Sequence, residues 1–140
     1  MSTATTGSGT WTRKFAPATL RAALWTMISL RRARRLLKAE GLRARIPPPP
    51  RLPIGATRGV FAVLRRTDPT CLERATVLQT WLAAHDHPVD IVVGVRSDGG
   101  KMAAHAWIDG RQGRDNTGFN EIVRIHPSAL GRSTRTPKGR

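Results

Sequence analysis

Residues 47–50 are four consecutive prolines, and no other feature limits the fold of this chain as much. Proline has no N–H and a fixed φ, so the run can be neither helix interior nor central strand. It must run extended, as a stiff spacer of about 3.1 Å per residue. Before it, Leu20, Leu24, Met27, Ile28, Leu36 and Leu37 fall at helical spacing over residues 17–42, with Gly41 as a stop signal. Ser29 offers a second start, so one bent helix or two short ones both fit. Residues 1–14 are mostly small and polar and read as a flexible N-terminus, residues 15–50 as a basic helical prelude, and residues 127–140 as a basic flexible tail.

The unit after the spacer, residues 51–126, reads helix, helix, strand, strand, strand. Val60, Phe61 and Leu64 suggest a helix over residues 54–66, broken by Thr67, Asp68 and Pro69. The next helix spans Cys71–Ala84, with Cys71, Ala75, Leu78 and Leu82 on one stripe, widened by Leu72 and Val77, and Glu73, Arg74 and Thr80 outside it. Its start is marked either by Pro69 after Asp68 or by a Thr70/Glu73 capping box. The β-branched run at residues 89–95 reads as a buried strand, followed by a turn at Ser97, Asp98, Gly99 and Gly100. Residues 101–109 then alternate, with Ala103, His105 and Trp107 on one side and Met102, Ala104, Ala106 and Ile108 on the other. Asp109 and Gly110 mark a reversal into a third strand over residues 112–117, and residues 120–126 either add a strand or cover the sheet. The expected class is α+β, a helical N-terminal part packed on a small antiparallel sheet; 140 residues fit one small domain.

Lys and Arg number 24 against 9 Asp and Glu, a formal charge of +15 that raises nucleic-acid binding as a possibility. Much of that charge sits at residues 31–51 and 124–140, flanking the apolar centre without interleaved aromatics. There is no phosphate loop, zinc-finger spacing or recognition-helix pair, which argues against nucleic acid. A solvated basic surface, or one that docks an acidic partner protein, fits equally well; the alternative to an enzyme is such a non-catalytic adaptor. Arg21, Arg31, Arg32, Arg34 and Arg35 interrupt or end the best apolar run, so no membrane span is expected. Without a secretory signal the default compartment is the reducing cytoplasm, and one cysteine permits no internal disulfide.

Cys71 at a helix start and His105 inside a hairpin strand form a constellation suited to thiol catalysis. The helix dipole and unpaired first-turn amides favour the thiolate, imidazole moves protons near neutrality, and an acid orients the imidazole. Asp109 is four residues from His105 along one strand, about 13 Å, too far for a hydrogen bond, and reads as a turn residue. A three-residue reversal would set Asp115 opposite His105, with Cβ atoms about 5 Å apart; a four-residue reversal would set Asn116 there. The bland readings are a buried structural cysteine and a satisfied core histidine. Trp107 reads as core or pocket wall. Arg74 reads as structural more than functional, and the Cys71 amide as an oxyanion donor. His85 and His87 read as histidines at a helix carboxyl end, not metal ligands. No metal or cofactor is expected.

Cys71-Leu72-Glu73-Arg74-Ala75, then Gly94-Val95-Arg96, then Ala104-His105-Ala106-Trp107-Ile108, at these separations, resemble the transglutaminase-like cysteine proteases that remove the leader peptide in lasso-peptide biosynthesis. The likeness spans roughly residues 52–120. It implies a transglutaminase-like, papain-like core with Cys71 as nucleophile, His105 as base and, by position on the following strand, Asp115 as third member. Ile108-Asp109-Gly110 is shorter than the strand end family members often carry. The resemblance further implies a stand-alone leader peptidase acting on a precursor peptide, served by a separate leader-recognition protein and working beside an ATP-dependent macrolactam cyclase.

Overall fold

The computed structural model describes residues 17–110 and 118–127. Between Pro17, whose missing N–H costs nothing in a first turn, and Gly41, which takes φ +61°, the chain forms one continuous helix, α1 (Pro17–Glu40). Its apolar spacing is helical as read, but the stripe points the other way. Leu20, Leu24, Met27 and Ile28 are exposed, while Ala22, Thr26, Ser29, Leu30 and Ala33 are buried. The reason is how closely the next helix approaches. A Cβ on Gly59 would lie 2.2 Å from the Thr19 carbonyl oxygen, so only small side chains fit along that line.

After α1 and a 3-10 turn (Gly41–Arg43), the proline run has no regular structure and leads to a second 3-10 turn (Ile54–Ala56) and α2 (Thr57–Thr67). Asp68, in the left-handed region at φ 45° and ψ 60°, ends α2; Thr70 is extended and caps α3 (Cys71–Ala84). Leu64, Val60, Val77 and Trp81 are fully buried where the helices meet, and the Trp81 indole N–H donates to Thr57 Oγ1 at 2.9 Å.

A hairpin follows, β1 (Ile91–Asp98) and β2 (Lys101–Ile108), turning on Gly99 and Gly100, both at positive φ as a two-residue primed turn needs. β3 (Asn120–Ile125) pairs antiparallel with β1, giving the order β2-β1-β3 with an irregularity between Val93 and Gly94. The architecture is therefore α+β, three helices on a small antiparallel sheet. The third strand expected over residues 112–117 lies outside the described residues. Ile91, Ala106, Ile108 and Ile125 form the sheet's contribution to the core. The Gln79 side-chain amide of α3 ties helix to sheet, donating to the carbonyls of Val89 at 3.0 Å and Ile125 at 2.9 Å.

Candidate active site

Cys71 is the first residue of α3 because three local devices agree there. Asp68 turns the chain out of α2, Pro69 cannot continue a helix, and Thr70 Oγ1 accepts from the Glu73 amide at 3.2 Å. Cys71 is a free thiol, partly buried against the core, in a turn whose amides have no carbonyl partners earlier in the helix. The capping box is only half made. The Glu73 side chain turns inward, is 4% exposed, and meets Arg34 of α1 at 3.2 Å, with Oε2 unpaired among the described residues. The expectation that Glu73 lies outside the helix stripe is thus corrected: α1 covers that side of α3. Arg74 donates to the Leu64 carbonyl at 3.3 Å, holding the end of α2, as a structural role requires.

His105 lies opposite Gly94 in the hairpin. Alternation puts His105 and Trp107 on the face away from Ala106 and Ile108, which enter the core. The imidazole stacks on Trp107, centroids 5.8 Å apart, and meets Phe119 at 5.4 Å; the Arg96 guanidinium lies 4.7 Å from the Phe119 ring centre. Gly94 makes this possible, since a Cβ there would lie 2.8 Å from Trp107 Cη2. Sequence reasoning missed Phe119 as a neighbour of His105, and Arg96 as a neighbour of Phe119. The hairpin register was the available signal for Arg96, because alternation puts residues 94, 96, 105 and 107 on one face.

α3 packs against β2, but Cys71 packs against the core while His105 is on the sheet face away from it. Among the described residues no hydrogen bond joins the two side chains. Asp115 and Asn116, the alternatives for the third member, lie outside the described residues. Asp109 is engaged elsewhere, accepting from the Gly110 amide at 3.0 Å and from Arg124 at 2.5 Å, as suits a turn residue. Arg124 also binds Glu121 at 2.8 Å and Asp90 at 3.3 Å; Asp109, Glu121 and Asp90 together push the guanidinium's pKa further up. Burial pushes the Asp90 carboxyl up, but bonds to His126 and Arg124 outweigh it and hold it below its ordinary value.

His85 is accounted for by the fold. Its ring meets that of Trp81 at a tilt of 39°, centroids 4.3 Å apart, and its ring nitrogens lie 2.8 Å from the carbonyls of Trp81 and Leu52. Among the described residues no cluster of three His, Cys, Asp or Glu could hold a metal ion, and no helix is long and apolar enough to cross a membrane. A family model described as the transglutaminase-like superfamily matches residues 18–124, a span that takes in α1 as well as the hairpin. No curated protein and no solved structure matches the chain.

Proposed function

The chain belongs to the transglutaminase-like superfamily, and from that premise we propose that it is a cysteine peptidase removing the leader from a ribosomally made lasso-peptide precursor. The observation that carries this reading is Cys71 as the opening residue of α3, beside the strand that bears His105.

In this reading His105 takes the Cys71 proton as Sγ attacks the scissile carbonyl, and the resulting oxyanion is received by the Cys71 amide. The intermediate collapses, the C–N bond breaks, and His105 returns the proton to the leaving amine, which becomes the new N-terminus of the core peptide. Water, deprotonated by His105, then hydrolyses the thioester, releasing the leader carboxylate and regenerating the thiol. Asp115 orients the imidazole. The chemistry requires thiol and imidazole at about 3 Å, so bound substrate must draw them together from the unbonded arrangement. A leader-recognition protein would deliver the precursor, and the ATP-dependent cyclase would consume the freed amine.

The test is incubation of the chain with a precursor and its leader-recognition protein, read by intact-mass spectrometry. Cys71→Ala should slow cleavage on the order of 10³-fold or more while the circular dichroism stays unchanged. Alkylation of the wild-type thiol should do the same. The two fragments should together weigh the precursor plus one water; a product joined to an added amine would instead mean acyl transfer. Cleavage at the wild-type rate by Cys71→Ala overturns the reading.

A further inference from the structure

Of the eight large apolar side chains that stand exposed among the described residues, four are Leu20, Leu24, Met27 and Ile28 on α1. Their spacing makes one strip about 12 Å long. Eleven, fifteen and eighteen residues after Leu20, the same face continues with Arg31, Arg35 and Lys38, all exposed, and among the described residues no carboxylate pairs with any of them. The helix cannot roll to hide the strip, because its other face is committed to the core through Ala22, Thr26, Ser29, Leu30 and Ala33. One face of one rigid helix is thus apolar in its first half and cationic in its second.

We propose that this face docks a protein partner presenting an apolar strip continued by carboxylates. Charge complementarity decides among occupants. A second copy packed antiparallel would press Arg31 and Arg35 onto the apolar half of its twin, with no acid to meet them. A lipid surface needs the apolar side chains buried about 5–10 Å deep. Here Leu20, Leu24, Met27 and Ile28 are only 43–58% exposed, and the strip is about two turns long before Arg31 and Arg35 continue the face. Nucleic acid would satisfy the cations and leave the apolar half in water. An acidic amphipathic surface satisfies both halves at once. Arg34, at the flank of this face, reaches Glu73 in the first turn of α3, so a docked partner sits one ion pair from the turn that opens with Cys71. The proposal does not depend on the peptidase chemistry, since it is read as binding.

The probes are two synthetic helical peptides with the same leucine strip, followed in one by four glutamates and in the other by four lysines. Each is titrated into the full chain by fluorescence anisotropy. Vesicles of phosphatidylcholine with and without phosphatidylserine, a DNA duplex, and sedimentation of the chain alone are run beside them. The glutamate peptide should bind and the lysine peptide should not. Leu24→Ser with Ile28→Ser should weaken binding about tenfold or more, and Arg31→Glu with Arg35→Glu should reverse the peptide preference, with far-UV dichroism unchanged. Failure of the glutamate peptide to bind, equal binding of both peptides, capture by anionic vesicles or DNA in place of the glutamate peptide, or a dimer abolished by the Leu24/Ile28 double variant would each overturn the proposal.

Discussion

Among the described residues the buried Glu73 carboxyl meets one partner, Arg34, and that partner is mostly in water. Arg34 is 61% exposed against 5% for the Glu73 side chain, so solvent screens the arginine and the pair is worth less than a fully buried one. Breaking it from the two ends should not be equivalent. Arg34→Ala leaves a buried carboxylate alone and should destabilise by about 1–2 kcal/mol, below the several expected for a fully buried pair. Glu73→Gln removes the charge and keeps the shape, so it should cost less; in the double variant the loss should shrink below that of Arg34→Ala alone. Urea denaturation of the three proteins checks this, and a neutral Arg34→Ala would contradict it. The residue also marks where reading the chain stops working. The start of α3 was legible because Asp68, Pro69 and Thr70 act locally. The burial of Glu73 was not, because it depends on a helix 39 positions away. The same holds for His105: its strand, its face and its pairing with the Gly94 strand follow from alternation. Phe119 arrives from across the sheet and leaves no mark in the local pattern.

Helices show the same division between spacing and orientation. The period of Leu20, Leu24, Met27 and Ile28 correctly signals α1, yet periodicity says only that one face is apolar, not that it faces inward. What decides is Gly59, which lets α2 approach α1 until backbone meets backbone, and so selects the small-residue side of α1 as the buried one. Gly59→Ala would normally help a helix interior by up to about 1 kcal/mol. Here the added carbon would lie 2.2 Å from Thr19 O and 3.1 Å from Ala23 N, both backbone atoms that no rotamer change can move aside. Overpacking of this kind typically costs about 1–3 kcal/mol, so after the propensity gain the net effect should be a loss of about 1–2 kcal/mol. A thermal or urea midpoint at or above wild type would show that α1 can slide away freely. In the sheet, the Gly99-Gly100 turn was legible because two adjacent glycines permit the positive φ values it needs. The placement of β3 beside β1 was not, since it depends on a pairing between residues more than twenty positions apart.

Across the whole molecule the shortage of acids governs the response to pH. Nine Asp and Glu face 24 Lys and Arg, and among the described residues four carboxylates, those of Glu73, Asp90, Asp109 and Glu121, are held in ion pairs with arginine. Three of those four converge on Arg124, which joins the residue before β1, the residue after β2 and its own strand β3 at one end of the sheet. Asp90 is the group whose titration can be followed there, because burial, which alone would raise its carboxyl, is outweighed by His126 and Arg124 and the net direction is down. A carboxyl depressed in the folded chain stabilises it above the ordinary aspartate value near 4, and the contribution drains away as pH falls through the lower folded value. Protonation there also removes negative charge from a chain already at +15, so self-repulsion grows in the same direction. Stability should therefore fall steeply below about pH 4. Asp90→Asn, which cannot titrate, should be less stable than wild type at pH 7 and should lose less on acidification, the two curves drawing together as the wild-type carboxyl protonates below the ordinary aspartate value. Urea midpoints measured at half-unit steps from pH 7 to pH 2 test this; parallel curves would mean that the Arg124 cluster contributes nothing to holding the three strands together.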